Sequence, residues 1–279
     1  MSHWKTILVH LDDGPRCAER VAVAARLAAE HGAQLVGVSP IGVPDVPVAV
    51  NGVVPDMETA IALAAQELRA IAEERAKVFE RTARAAEAPM VVSRVLEGEH
   101  LDVTAHLGRS ADLVVVGQAE RSSDVPQIAQ DFPQQVALHT GGPVLVVPYA
   151  GRFSAIGRDV LVAWKDVREA ARALRDALPL LAHARRVTLL ELVVPGADTD
   201  PTALADVLAH LARHGIEAEA RREVTEIEPG DALLSRGADL GVDTIVMGAY
   251  GHSRLREWVL GGVTKHLLEH MTVPTLMTH

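Results

Sequence analysis

Cysteine is almost absent: Cys17 stands alone in a chain of 279 residues. An intrachain disulfide and a cysteine-based metal centre are therefore excluded. Near the start of a helical stretch, Cys17 is either a reactive thiol or a small, partly buried residue. Aromatic residues make up 3% of the chain against 48% hydrophobic residues overall, so the core must be built from Ala, Val and Leu. Trp4, Trp164 and Trp258 are too scattered to form a stacking platform. Basic residues are in deficit, with 27 Lys and Arg against 37 Asp and Glu and a formal charge of −10. Nucleic acid as a partner would need clustered cations and is not expected. Long apolar runs are missing too. None approaches the roughly 18–20 residues of a membrane span, and no charged and apolar leader pattern precedes the first strand. The expectation is a cytoplasmic protein with no membrane partner.

What is present is a repeat. KTILVHL (5–11) and DVLVAW (159–164) are matching strands, with Leu8 and Leu161 separated by 153 positions. ADLVVVG ending at Gly117 matches VDTIVMG ending at Gly248, and Pro143 matches Pro274, both at an offset of 131. The first copy thus carries 22 extra residues between its first and fourth strands, seen in the Pro/Val/Gly stretch 40–55 and a long helix over 56–88. Strands are expected near 5–11, 33–38, 89–95, 112–117 and 143–148, then near 159–164, 187–193, 217–224, 243–248 and 273–278. Helical patterns alternate with them, which predicts an α/β fold with parallel sheets and right-handed crossovers. Two domains follow, 1–150 and 157–279, with a short linker between them. In the long helix the expected core face is Ile61, Leu68, Ile71 and Val78.

Open parallel sheets bind ligands beyond the carboxyl ends of their strands, where strand order reverses. After the fourth strand of the second copy comes GAYGHSRLREWVLGGVT, residues 248–264. Glycines at both ends of this loop let the backbone approach a ligand closely. A helix starting at Gly261-Gly262 would turn its free N–H groups and positive dipole end towards the same space, the physical requirement for holding phosphate. Thr264 adds a hydroxyl. The spacing matches neither a Walker A loop nor a dinucleotide-binding fingerprint, and glycines at such positions also serve as ordinary turn residues.

Gly248-x2-Gly251-x9-Gly261, followed by Gly262-Val263-Thr264, resembles the ATP-binding signature of the universal stress proteins, G-x2-G-x9-G-[S/T]. The likeness extends over nearly the whole chain as two tandem domains and includes ILVHLDD and VLVAWKD. It implies two tandem, doubly wound, parallel five-stranded sheets of strand order 3-2-1-4-5 with helices on both faces, joined through their fifth strands. It also implies ATP, with Mg²⁺, over the first and fourth strands of the second copy. Adenine would lie near Ala163, Leu192 and Met247, and the phosphates on Gly248, Gly251, Gly261, Gly262, Val263 and Thr264. Two departures stand out. Gly262 replaces the signature's hydroxyl residue, and Lys165 stands where an Asp usually ends the first strand, so a cation that can reach phosphate or fill the pocket replaces an acceptor.

In the first copy the repeat puts Glu120, Gln130, Asp131 and Pro133 at the positions of Gly251, Gly261, Gly262 and Thr264. Two carboxylates would face a triphosphate there and repel it. The first copy is therefore read as degenerate, although Asp12 survives opposite Lys165; a composite site across the two copies is the other option. His266 and His270 lie one helical turn apart without a carboxylate-rich set, so solvated helix histidines are expected rather than a metal site. No nucleophile–base arrangement is evident, so a binding protein is expected rather than an enzyme. Three functional readings follow. The first is a nucleotide-responsive universal stress protein, homodimeric through fifth-strand edges; the others are an interaction scaffold with no nucleotide or a different ligand, and a slow nucleotide hydrolase.

Overall fold

The computed structural model describes residues 3–43, 57–119, 128–196, 202–249 and 262–279. The first half contributes β1 (Thr6–His10), α1 (Cys17–His31), β2 (Gln34–Pro40), α2 (Met57–Ala85), β3 (Met90–Leu96), α3 (His100–Gly108), β4 (Leu113–Gly117), α4 (Phe132–Thr140) and β5 (Val144–Val147). The second half repeats the order with β6 (Asp159–Trp164), α5 (Arg168–Leu181), β7 (Arg186–Val193), α6 (Ala203–Arg213), β8 (Ala218–Val224), α7 (Pro229–Leu240), β9 (Thr244–Gly248), α8 (Gly262–His270) and β10 (Thr275–Thr278). Every expected strand is present within a few residues of its expected bounds.

Each half has the strand order 3-2-1-4-5, and all pairs within a half are parallel. The two halves do not form separate sheets. β5 and β10 pair antiparallel, Leu145 opposite Leu276, so one ten-stranded sheet runs through the molecule. That pairing occupies the fifth-strand edges on which homodimerisation was expected. The outer edges are β3 and β8, and β8 carries Glu219, Arg221, Arg222 and Glu223, charges that discourage further strand pairing.

The inner aliphatic strands β1, β4, β5, β6, β9 and β10 bury both faces, as a covered parallel sheet requires, whereas the edge strands β3 and β8 are only partly covered. Alternate residues of β1 divide between two cores: Ile7 and Val9 join α1, α2, α5 and α6 on one side, and Leu8 joins the residues of α3, α4, α7 and α8 on the other. Each core continues across the β5–β10 seam. Among the described residues no helix is long and apolar enough to cross a membrane.

Helix α2 corrects one expectation. Ala72, Ala76, Phe79 and Ala83 face the core, whereas Ile61, Ile71 and Val78 are exposed and Leu68 is half-buried. The cause lies in β2. A Cβ at Gly37 would stand 2.6 Å from the Phe79 ring, so the glycine provides the slot for Phe79. The small alanines on the same stripe let the helix lie close to the sheet.

Candidate functional site

At the switch point of the second half, β6 lies between β9 and β7, with Ala163 in register with Met247 on one side and Leu190 on the other. Ala163, Leu192 and Val263 are half-buried and pack on the core cluster that contains the buried Met247. Four of the sequence-predicted residues thus share one face at the carboxyl ends of the strands. Lys165 is exposed immediately beyond β6. Gly262 is the exposed first residue of the nine-residue helix α8, and among the described residues a Cβ there would meet nothing within 4 Å. Thr264 is buried. Gly251 and Gly261 lie outside the described residues.

Gly248 has a structural reason to be glycine that the sequence did not disclose. A Cβ at this position would stand 2.6 Å from the backbone of Glu169 and Ala170. The first turn of α5 lies directly over the end of β9, so this glycine serves strand–helix packing whether or not a ligand is near.

The equivalent region of the first half is occupied by its own side chains. His10 holds the repeat position of Ala163, Phe132 that of Val263 and Arg20 that of Ala173. The His10 ring lies 4.6 Å from the Phe132 ring and its Nε2 is 2.7 Å from His100 Nδ1. Arg20 donates through Nε to the His10 carbonyl at 2.9 Å and forms an ion pair with Asp12 at 2.8 Å. Its guanidinium also covers Gly117 and fills the space that a Cβ there would need. What is left is a cavity of about 100 Å³ bordered by Asp12, Cys17, Arg20, Gly117 and Tyr149. Pockets that enclose small molecules usually hold about 300–1,000 Å³. All its lining residues come from the first half, Asp12 among them.

Burial pushes the Asp12 carboxyl up, but the Arg20 charge, aided by His10 and the Gly14 N–H, outweighs it and holds the group at about 2. Burial is the main reason that His10 is held well below its usual range, with Arg20 and His100 adding to it against the pull of Asp12. The Asp12 carboxylate is thus already engaged. Of the carboxylates expected to exclude a triphosphate here, Asp131 accepts from Gln135 at 2.9 Å and Glu120 lies outside the described residues. His10 and Arg20 were not singled out from sequence. Their signal was the replacement of two alanines by large polar residues at matched repeat positions.

The family model for the universal stress protein family matches residues 3–148 and 157–279. The chain belongs to that family. Its two matched segments coincide with the two 3-2-1-4-5 halves. Among curated proteins, Universal stress protein Slr1230 of Synechocystis is 26% identical over 176 residues, covering 61% of this chain and 55% of that protein. The chain thus matches about half the length of this relative. Among solved structures, a universal stress protein from Archaeoglobus fulgidus DSM 4304 covers 98% of the chain and 95% of its own, with a TM-score of 0.73 at 17% identity. The functionally unknown protein PA1789 from Pseudomonas aeruginosa PAO1 covers 99% and 92%, with a TM-score of 0.59 at 13% identity. At these identities the likeness concerns the fold, which extends over both family segments.

Outside the switch points, His266 is more than a solvated helix histidine. It is half-buried, bonds Asp231 at 2.7 Å and stacks on His270 with ring centres 4.3 Å apart.

Proposed function

We propose that the second half binds ATP or a related nucleotide, with Mg²⁺, and that the protein acts in the cytoplasm as a stress-responsive regulatory binding protein without a catalytic step. The observation that carries this reading is the head of α8 at Gly262, exposed among the described residues, together with the apolar strand-end face of Ala163, Leu192 and Met247 and with Lys165 just beyond β6. Ala163, Leu192 and Met247 offer the adenine an apolar surface, and Val263 extends it. The first amides of α8 and the Lys165 ammonium offer the phosphates hydrogen bonds and charge. The nucleotide's contribution would be its charge and its differential affinity for one state of the chain, which is how occupancy would alter partners or stability. The first half, with its pocket filled, would serve as a structural and regulatory partner.

One observation favours the scaffold reading instead. The packing of α5 accounts for Gly248, so one glycine of the signature is explained without a ligand. The two readings separate by thermal shift. ATP with Mg²⁺ at millimolar concentration is expected to raise the melting temperature of the wild-type chain by several degrees, as any ligand specific for the folded state does. Gly262→Asp, which places a carboxylate at the head of α8, is expected to abolish the shift. An equal melting temperature with and without nucleotide in the wild type would leave the scaffold reading standing.

A further inference from the structure

Three imidazoles from both halves of the chain converge where α1 and α5 end. His3 precedes β1, His31 is the last residue of α1, and His183 follows the end of α5. Their ring centres are 5.8 Å (His3–His31), 5.4 Å (His3–His183) and 5.0 Å (His31–His183) apart. His31 is buried under Trp4, whose ring centre lies 4.6 Å away. The Nδ1 atoms of His3 and His31 are both shielded from solvent and have no hydrogen-bond partner among the described residues. Buried imidazole nitrogens rarely go unsatisfied, and such an atom calls for an explanation.

We propose that His3, His31 and His183 form a binding site for a late first-row divalent cation, Zn²⁺ being the type case, with water completing the coordination. Imidazole nitrogen is a preferred donor for such ions. Three imidazoles on one tetrahedral zinc, with Zn–N bonds of about 2.0–2.1 Å, hold their ring centres on the order of 5 Å apart. The observed separations are near that arrangement. The nitrogens are not all within 4.8 Å of one another, so the ion would draw the rings inward by small side-chain rotations.

Two further features suit a cation. His183 donates through Nδ1 to the Pro179 carbonyl at 3.0 Å, which fixes the tautomer and leaves the Nε2 lone pair free in the way typical of a metal ligand. Finally, α1 and α5 both end at the cluster, and the negative ends of two helix dipoles favour positive charge. The nearby Arg158 cation is matched by Glu30 at 2.7 Å.

A second group, Glu228, Asp231 and His266, has its donor atoms within 4.8 Å of one another. It is less suited. Glu228 is spent capping α7 through Gly230 N–H at 2.6 Å, and the positive end of that helix opposes a cation.

The test uses the full-length protein stripped with a chelator and titrated with Zn²⁺ against a chromogenic competitor. One Zn²⁺ per chain is expected to bind, with a rise in melting temperature because the ligands come from both halves. His31→Phe and His183→Phe are each expected to weaken binding at least 10-fold, while His266→Ala leaves it unchanged. Co²⁺ with the wild-type protein is expected to give the intense visible absorption of a tetrahedral site, a readout independent of how well the variants fold. Stoichiometric binding lost with His266→Ala but kept in His31→Phe would overturn the proposal. So would the absence of both Zn²⁺ binding and the Co²⁺ spectrum in the wild type.

Discussion

Arg20→Met is expected to destabilise the chain by about 3–5 kcal/mol, the usual consequence of leaving one partner of a buried ion pair uncompensated. Arg20 and Asp12 are both largely buried, with their ion pair at 2.8 Å, and Arg20 also satisfies the His10 carbonyl. Removing the guanidinium leaves the Asp12 carboxylate under a shell of protein with, among the described residues, the Gly14 N–H and the flanking His10 for support. A double variant, Arg20→Met with Asp12→Leu, should recover part of the loss, because no charge is then stranded. Urea unfolding of the four proteins of this cycle measures the coupling directly. The pH dependence adds a signature. In the wild type the folded-state Asp12 titrates at about 2, below its ordinary value of 3.8. Its contribution to stability is therefore complete above about pH 4 and is lost as pH falls towards 2. In Arg20→Met, burial dominates and raises the folded-state value above the unfolded one. That variant should lose the wild-type dependence below pH 4 and instead gain stability as pH falls towards about 4 from above, where the buried carboxyl takes up its proton.

The second large effect is at Gly248. Substitution with Ala forces a Cβ to within 2.6 Å of the Glu169–Ala170 backbone, and backbone cannot move aside as a flexible side chain would. A cost of about 1–3 kcal/mol is expected for this overpacking, and more for Val. Gly262→Ala, at the exposed first residue of α8, is expected to stay within about 0.5 kcal/mol of wild type, as exposed substitutions generally do. The contrast separates the two glycines of one signature by their physical roles. If Gly248→Ala proves as stable as wild type, the close seating of α5 on the end of β9 is wrong. The measurement is the urea midpoint without nucleotide, so no assumption about ligand enters.

Much of the fold could be read from the chain because its strands are short aliphatic runs punctuated by matched glycines and prolines. Leu8 with Leu161, Gly117 with Gly248 and Pro143 with Pro274 placed the repeat, and each pair occupies equivalent positions in the two halves. Periodicity did not reveal which face of α2 turns inward. Ile61, Leu68, Ile71 and Val78 form the more hydrophobic stripe, yet the alanine stripe with Phe79 is buried, because Gly37 on a distant strand shapes the slot. Tertiary context decided against local hydrophobicity. The site was partly legible for a related reason. Strand-end positions such as Ala163 and Met247 follow from register and were brought together as expected. The role of Gly248 depends on a helix eighty residues away in sequence, and the plug in the first half depends on the long side chains of Arg20 and His10 reaching across α1 and β1. Spacing alone does not carry that information. The β5–β10 pairing likewise uses up inside one chain the edges that suggested a dimer.

The most direct test of the account is a crystal structure of the full chain grown with ATP and Mg²⁺. Phosphate density against the first amides of α8 and the Lys165 ammonium, with the base over Ala163 and Met247, is the predicted result. Lys165 lying across that floor with no nucleotide there, or nucleotide displacing Arg20 in the first half instead, would contradict it.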